Sequence, residues 1–166
     1  MSSKGHLKVI IIGDSGVGKT SLLEAYNYKK ISKSAKPTIG AEFVKKRVVL
    51  QDGTEVNLQL WDTAGQERFQ SLCTSFYRGS DCCMMVFDVS NVDSYDNLEA
   101  WRNSFLNTVG DKEVPIFLVG NKSDKECNVN KELLNINWIK SEKVKEFMEV
   151  SALKVQGIED VFKRVA

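Results

Sequence analysis

Residues 7–20 read LKVIIIGDSGVGKT. The largely apolar run Leu7–Ile12 is short and rich in β-branched residues, which fits a strand buried on both faces. Gly13–Thr20 then matches G-x-x-x-x-G-K-[ST] in full, a loop that follows a strand and opens a helix. Gly13, Gly16 and Gly18 let the backbone turn its N–H groups inward. With the N-terminus of the next helix these donors form a nest for an anion. The loop Ser15, Gly16, Val17, Gly18, Lys19, Thr20 and Ser21 is expected to hold phosphates. Lys19 would reach the outer ones, and the Thr20 hydroxyl would meet Mg²⁺. This motif alone leaves a kinase, an ATPase and a GTPase open.

Working outward, CCMMVFDV (82–89), VPIFLVG (114–120) and FMEV (147–150) also read as short buried strands. Leu98, Trp101, Phe105 and Val109 mark one face of a helix. Ile158, Val161, Phe162 and Val165 mark another. Strands alternating with helices imply a parallel sheet with helices on both sides. The stretch 42–61 differs. It reads as two strands joined at Asp52-Gly53, a dipeptide that favours a tight hairpin turn. Val56, Leu58 and Leu60 alternate with polar residues, so one antiparallel edge strand joins the sheet. Ligands of such sheets bind at the carboxyl ends of the strands. The region 125–147 reads as a degenerate helix with Leu134 and Trp138 on one face, and no function is assigned to it.

Three further motifs fall at strand ends. WDTAG (61–65) closes the second hairpin strand, where Asp62 would hold Mg²⁺ and Gly65 would offer an N–H to a γ-phosphate. NKSD (121–124) follows FLVG. The Asp124 carboxylate can accept guanine's N1–H and exocyclic amine, a donor pair that adenine lacks. Asn121 would tie this loop to the phosphate loop, and the Lys122 stem would pack on the base. SAL (Ser151, Ala152, Leu153) ends the last strand, with backbone N–H groups placed for the guanine oxygen.

A phosphate loop, a threonine loop, D-x-x-G, N-K-x-D and S-A-x in this order resemble the Ras-like small GTPases over essentially the whole chain. Trp61 before D-T-A-G-Q-E, TIGAEF (38–43) and FYRGSD (76–81) resemble the Rab family. ERFQSL, DCC and WRNSF are most similar to its late-endosomal branch. The resemblance implies one α/β G domain over residues 1–166. Its sheet would be mostly parallel and six-stranded, with one antiparallel edge strand and helices on both faces. It implies that Thr38 closes over the γ-phosphate and Mg²⁺, and that Gln66 orients the attacking water beside Lys19. It further implies that loops 30–42 and 63–78 switch with the γ-phosphate. Phe43, Trp61 and Phe76 would be read by effectors, or simply pack. Partners would be GTP, GDP, effector proteins, an exchange factor and a GTPase-activating protein. Enzymes of this kind without an arginine finger turn over on the order of 10⁻⁴ to 10⁻³ s⁻¹, and a partner supplying one gains roughly 10³- to 10⁵-fold.

Three positions depart from the family pattern. Ile31 and Ala35 stand where aromatic residues are usual, and Leu153 where a lysine is. Each change removes packing from the nucleotide, which leads to an expectation of fast unaided exchange unless other side chains fill the space. The pattern also implies a prenylated C-terminal tail reaching the cytosolic face of endosomal membranes. The chain stops at Ala166 inside a helical pattern without such cysteines, so a truncated G domain is expected.

The bulk numbers exclude other classes. A formal charge of +1 makes no electrostatic case for nucleic-acid binding. No apolar run is long enough to span a membrane, and MSSKGHLKV contains no apolar signal segment. His6 is the only histidine, which removes Ser-His-Asp and Cys-His catalysis. Cys73, Cys82, Cys83 and Cys127 form no metal pattern and read as free thiols of a reducing cytosol.

Overall fold

The computed structural model describes residues 6–30, 41–63 and 70–166. Six strands form one sheet in the order β2-β3-β1-β4-β5-β6. They are β1 (Leu7–Ile12), β2 (Ala41–Val49), β3 (Glu55–Thr63), β4 (Cys82–Asp88), β5 (Ile116–Asn121) and β6 (Glu146–Glu149). Among the described strands only the β2–β3 pair is antiparallel, and β2 forms one edge of the sheet.

The period-two geometry of strands explains the two cores. On β1, Val9 and Ile11 face one side, while Ile10 and Ile12 face the other. On β4, Cys82, Met84 and Val86 join the first side, and Cys83, Met85 and Phe87 the second. Helices α1 (Lys19–Tyr28) and α6 (Ile158–Val165) cover the first side. Their junction is a stacked Tyr26–Phe162 pair with ring centroids 4.1 Å apart. Helices α2 (Gln70–Tyr77), α3 (Val92–Asp96), α4 (Leu98–Val109) and α5 (Lys131–Leu134) lie toward the second. The apolar stripes expected on α4 and α6 are the faces they bury.

Several boundaries differ from the sequence reading. The tight turn at Asp52-Gly53 proves to be a three-residue loop. Gly53 N–H donates to Leu50 O at 3.0 Å and Leu50 N–H to Thr54 O at 2.8 Å. Gly53 has φ of 84°, so the glycine supplies the left-handed residue of a three-residue loop. Within the expected switch loop 63–78, Gln70–Tyr77 is helical. The fully buried Tyr77 anchors that helix edge-on against Phe105 of α4, with centroids 5.6 Å apart. Strand β5 starts after Pro115, which lacks a ladder N–H, and extends to Asn121 opposite Asp88. In the region 125–147, Asn130 caps α5 by accepting from Glu132 N–H at 3.0 Å. A π-helical turn, Asn135–Ile139, follows and buries Trp138. Cys82 and Cys83 are free and buried, Cys127 is free and exposed, and burial pushes the Cys82 thiol up to about 12. Among the described residues, no helix is long and apolar enough to cross a membrane.

Candidate functional site

The carboxyl ends of β1, β3, β4, β5 and β6 deliver, in turn, residues 13–20, Asp62, Asp88, Asn121–Asp124 and Ser151–Leu153. The phosphate loop needs its glycines for two reasons. Gly13 has φ of 147° and a Cβ there would overlap the carbonyl of Val86. Gly18 has φ of 96°, and a Cβ there would overlap the Asn121 amide. Lys19 is buried, and its Nζ donates to Gly13 O and Asp14 O, both at 2.9 Å.

The base loop grips the same stretch. Asn121 Nδ2 donates to Val17 O at 2.9 Å, and its Oδ1 accepts from Ala152 N–H at 3.1 Å. Lys122 has φ of 62°, and its Nζ donates to Gly16 O at 2.7 Å. The same Nζ lies 3.1 Å from Asp88 Oδ2. Four phosphate-loop carbonyls are thus held by side chains. A planar trans peptide points its N–H opposite its C=O. Fixing Gly13, Asp14, Gly16 and Val17 O therefore also aims the N–H groups of Asp14, Ser15, Val17 and Gly18.

Asp124 is exposed, and its Oδ1 accepts from the buried Ser151 hydroxyl at 2.5 Å. Ser151 Oγ in turn accepts from Lys154 N–H at 3.1 Å. The carboxylate is aimed by Ser151, two residues beyond β6, rather than left to rotate. Leu153 is 59% exposed. At the other end, the Thr20 hydroxyl donates to Asp62 Oδ2, and Asp62 is fully buried. Thr63 Oγ1 donates to Ile11 O at 2.6 Å and locks the end of β3 beside β1. Thr38, Gly65 and Gln66 lie outside the described residues, as do Ile31 and Ala35.

Phe43, Trp61 and Phe76 form one contiguous row. Ring centroids are 4.9 Å apart for Phe43–Trp61 and 5.4 Å for Trp61–Phe76. Phe43 is 42% exposed, so the row is not plain core.

Two site residues escaped the sequence reading. Asp88 ends β4, and its Oδ1 accepts from Ser90 N–H at 2.8 Å and Ser90 Oγ at 2.6 Å. Burial raises its pKa, but the Ser90 hydrogen bonds and Lys122 outweigh this and hold it below its ordinary value. Its place at the carboxyl end of a buried strand was the available signal. Asp14 accepts from Trp101 Nε1 and Asn97 Nδ2, each at 2.7 Å. Trp101 reads as a core residue from its helix face, and nothing in its spacing reveals a second use.

Comparison with known proteins follows the same lines. The family model described as "Ras family" matches residues 8–166. The GTP-binding protein yptV5 of Volvox carteri is 46% identical over 170 residues, covering 98% of this chain and 82% of that protein. Ras-related protein Rab-7b of Paramecium octaurelia is 45% identical, covering 98% and 81%. The Ypt/Rab-type GTPase ypt7 of Pyricularia oryzae is 46% identical, covering 96% and 80%.

Proposed function

The chain belongs to the Ras family, and on that premise we propose how its residues divide the work of a GTP-hydrolysing switch. Members of this family, including the Rab-type relatives above, bind and hydrolyse GTP. The chain is a guanine-nucleotide-dependent switch that recruits effectors in vesicle trafficking.

One observation carries the residue assignment. Asn121 and Lys122 of the base loop hold Val17 O and Gly16 O of the phosphate loop. Residues that read a base thereby shape the cradle for its phosphates. Ser15 to Ser21 form the cradle, and Lys19 neutralises charge on the outer phosphates. Asp124, aimed by Ser151, accepts guanine's two donors, while Ala152 and Leu153 close the base pocket. Thr20 and Asp62 present hard oxygens from α1 and β3 within hydrogen-bond contact of each other. That donor set suits Mg²⁺, and Thr38 would complete it. When bound, the ion neutralises phosphate charge in a reaction that runs on positioning and electrostatics. Gln66 orients the attacking water, and the Gly65 N–H meets the γ-phosphate.

Residues 1–166 serve as a single G domain. Phe43, Trp61 and Phe76 form its effector surface. An exchange factor and a GTPase-activating protein set its timing. A prenylated tail outside this sequence would carry it to the cytosolic face of endosomal membranes, in keeping with its Rab-7 and ypt7 relatives.

The test is to purify the protein without added nucleotide, denature it, and identify what is released by chromatography. Stoichiometric GDP is expected. Retained GTP would indicate a scaffold that hardly cuts its ligand, and adenine nucleotide would overturn the role of Asp124. Single-turnover hydrolysis with Gln66→Leu as control then assigns the water-orienting role.

A further inference from the structure

We propose that Asp14 is a positioning residue for nucleotide retention, clamped to helix α4 by Trp101 and Asn97. The inference rests on the reading of Gly13–Thr20 as a phosphate cradle.

A carboxylate inside such a loop is an electrostatic problem. A negative charge beside a polyphosphate repels it, and the side chain of Asp14 follows directly on Gly13. The structure resolves this with geometry. Both carboxylate oxygens are engaged by donors from the start of α4. Trp101 Nε1–H meets Oδ1 and Asn97 Nδ2–H meets Oδ2, each at 2.7 Å. Asn97 is the residue between α3 and α4, just before α4 begins at Leu98, and its own N–H closes α3 on Asp93 O at 3.0 Å. The Trp101 ring is 4% exposed and packed in the second core, so its N–H cannot swing away. The carboxylate is thereby drawn toward α4, and its charge is screened by two donors. The loop backbone at residue 14, whose carbonyl also receives Lys19, is pinned from both sides. A loop fixed in its bound shape pays less ordering entropy when it closes on a ligand. Loss of the clamp frees a charge that turns toward the phosphates and speeds their departure.

A strut that only stabilises the fold would behave differently, so the test is a double-mutant cycle read on release rate. Trp101→Phe removes the donor and keeps a smaller aromatic ring, and the packing it loses is common to both backgrounds of the cycle. Release of a fluorescent GDP analogue from the full chain is followed by stopped flow. Losing one hydrogen bond to a charged group corresponds to about tenfold faster release. In the Asp14→Ala background, which has no carboxylate to clamp, Trp101→Phe should change release less than about twofold. Asp14→Asn keeps an acceptor oxygen without the charge and should release more slowly than Trp101→Phe. Single-turnover hydrolysis of bound GTP should stay within about twofold in Trp101→Phe. Equal acceleration by Trp101→Phe in both backgrounds would assign Trp101 to packing alone and overturn the clamp, as would an unchanged release rate. A wild-type protein that binds no GDP would instead overturn the cradle reading.

Discussion

Asn121→Ala is the sharpest probe of the site. Asn121 is 1% exposed and makes two bonds, to Val17 O at 2.9 Å and from Ala152 N–H at 3.1 Å. Truncation leaves both backbone groups without these partners. A buried polar group stripped of its partner costs about 1–3 kcal/mol, so the pair amounts to roughly 2–6 kcal/mol. Water entering the vacated space lowers this, and about 3 kcal/mol is the working figure. A domain of ordinary stability, about 5–15 kcal/mol, survives the change. The phosphate loop and base loop no longer hold each other in register, so most of the loss should appear in binding. At about 1.4 kcal/mol per tenfold, GDP affinity should fall about 10²-fold. Isothermal titration with GDP and thermal unfolding of the nucleotide-free protein separate the two destinations. Asn121→Asp is the companion. It retains an acceptor for Ala152 N–H but sets a carboxylate against the Val17 carbonyl, and should bind GDP no better than Asn121→Ala. GDP affinity within about threefold of wild type in Asn121→Ala would show that the two loops are placed independently, and the reasoning would fail.

Gly18→Ala should cost at least about tenfold in GDP affinity, because a left-handed φ disfavours any Cβ and this one overlaps the Asn121 amide; nucleotide content after purification is the readout. Asp88 has a folded pKa below its unfolded value of about 3.9. Its ionisation therefore stabilises the protein above about pH 4 and stops doing so as pH falls through the lower folded value. Thermal unfolding of Asp88→Asn should lie below wild type at pH 7 and converge with it in acid. Phe43→Ala should weaken effector capture by about tenfold or more, since Phe43 is the exposed end of the aromatic row, while GDP binding stays unchanged. Ile31→Phe should slow GDP release measured by stopped flow, and an unchanged rate would dismiss the leaky-switch expectation built on Ile31, Ala35 and Leu153.

Much of this architecture was legible because its signals are local. Leu7–Ile12 and Cys82–Asp88 announce buried strands by apolar content alone, and the alternation of Val56, Leu58 and Leu60 marks a half-buried one. The hairpin was placed correctly at Asp52-Gly53, but the number of loop residues was not legible. Asp-Gly specifies a left-handed glycine without specifying how many residues precede it. Helix α2 was missed because its anchor, Tyr77, is buried by Phe105 from a distant segment, and no period in its own sequence reports that contact. The same holds for Asp14 and Asp88. Each is a lone carboxylate in sequence, and its partners come from other elements. A motif displays the residues that touch a ligand, whereas the residues that aim them appear only once the chain is folded.

The aiming has a consequence for selectivity. The motifs 13–20 and 121–124 are far apart in the chain, but two consecutive residues of one hold two consecutive carbonyls of the other. Each of those carbonyls shares a rigid plane with the N–H of the next residue. Asn121 and Lys122 therefore set the direction of the Val17 and Gly18 N–H groups. On the proposed assignment, a base that displaces the base loop, by failing to satisfy Asp124 or by crowding Asn121, would also misdirect donors meant for phosphate. The penalty for the wrong base is then larger than its lost hydrogen bonds, because it is exacted at both ends of the nucleotide. Asp88 enters the same circuit through Lys122. On this reading base selection and phosphate affinity would be one property, carried by the side chains that bridge the two loops.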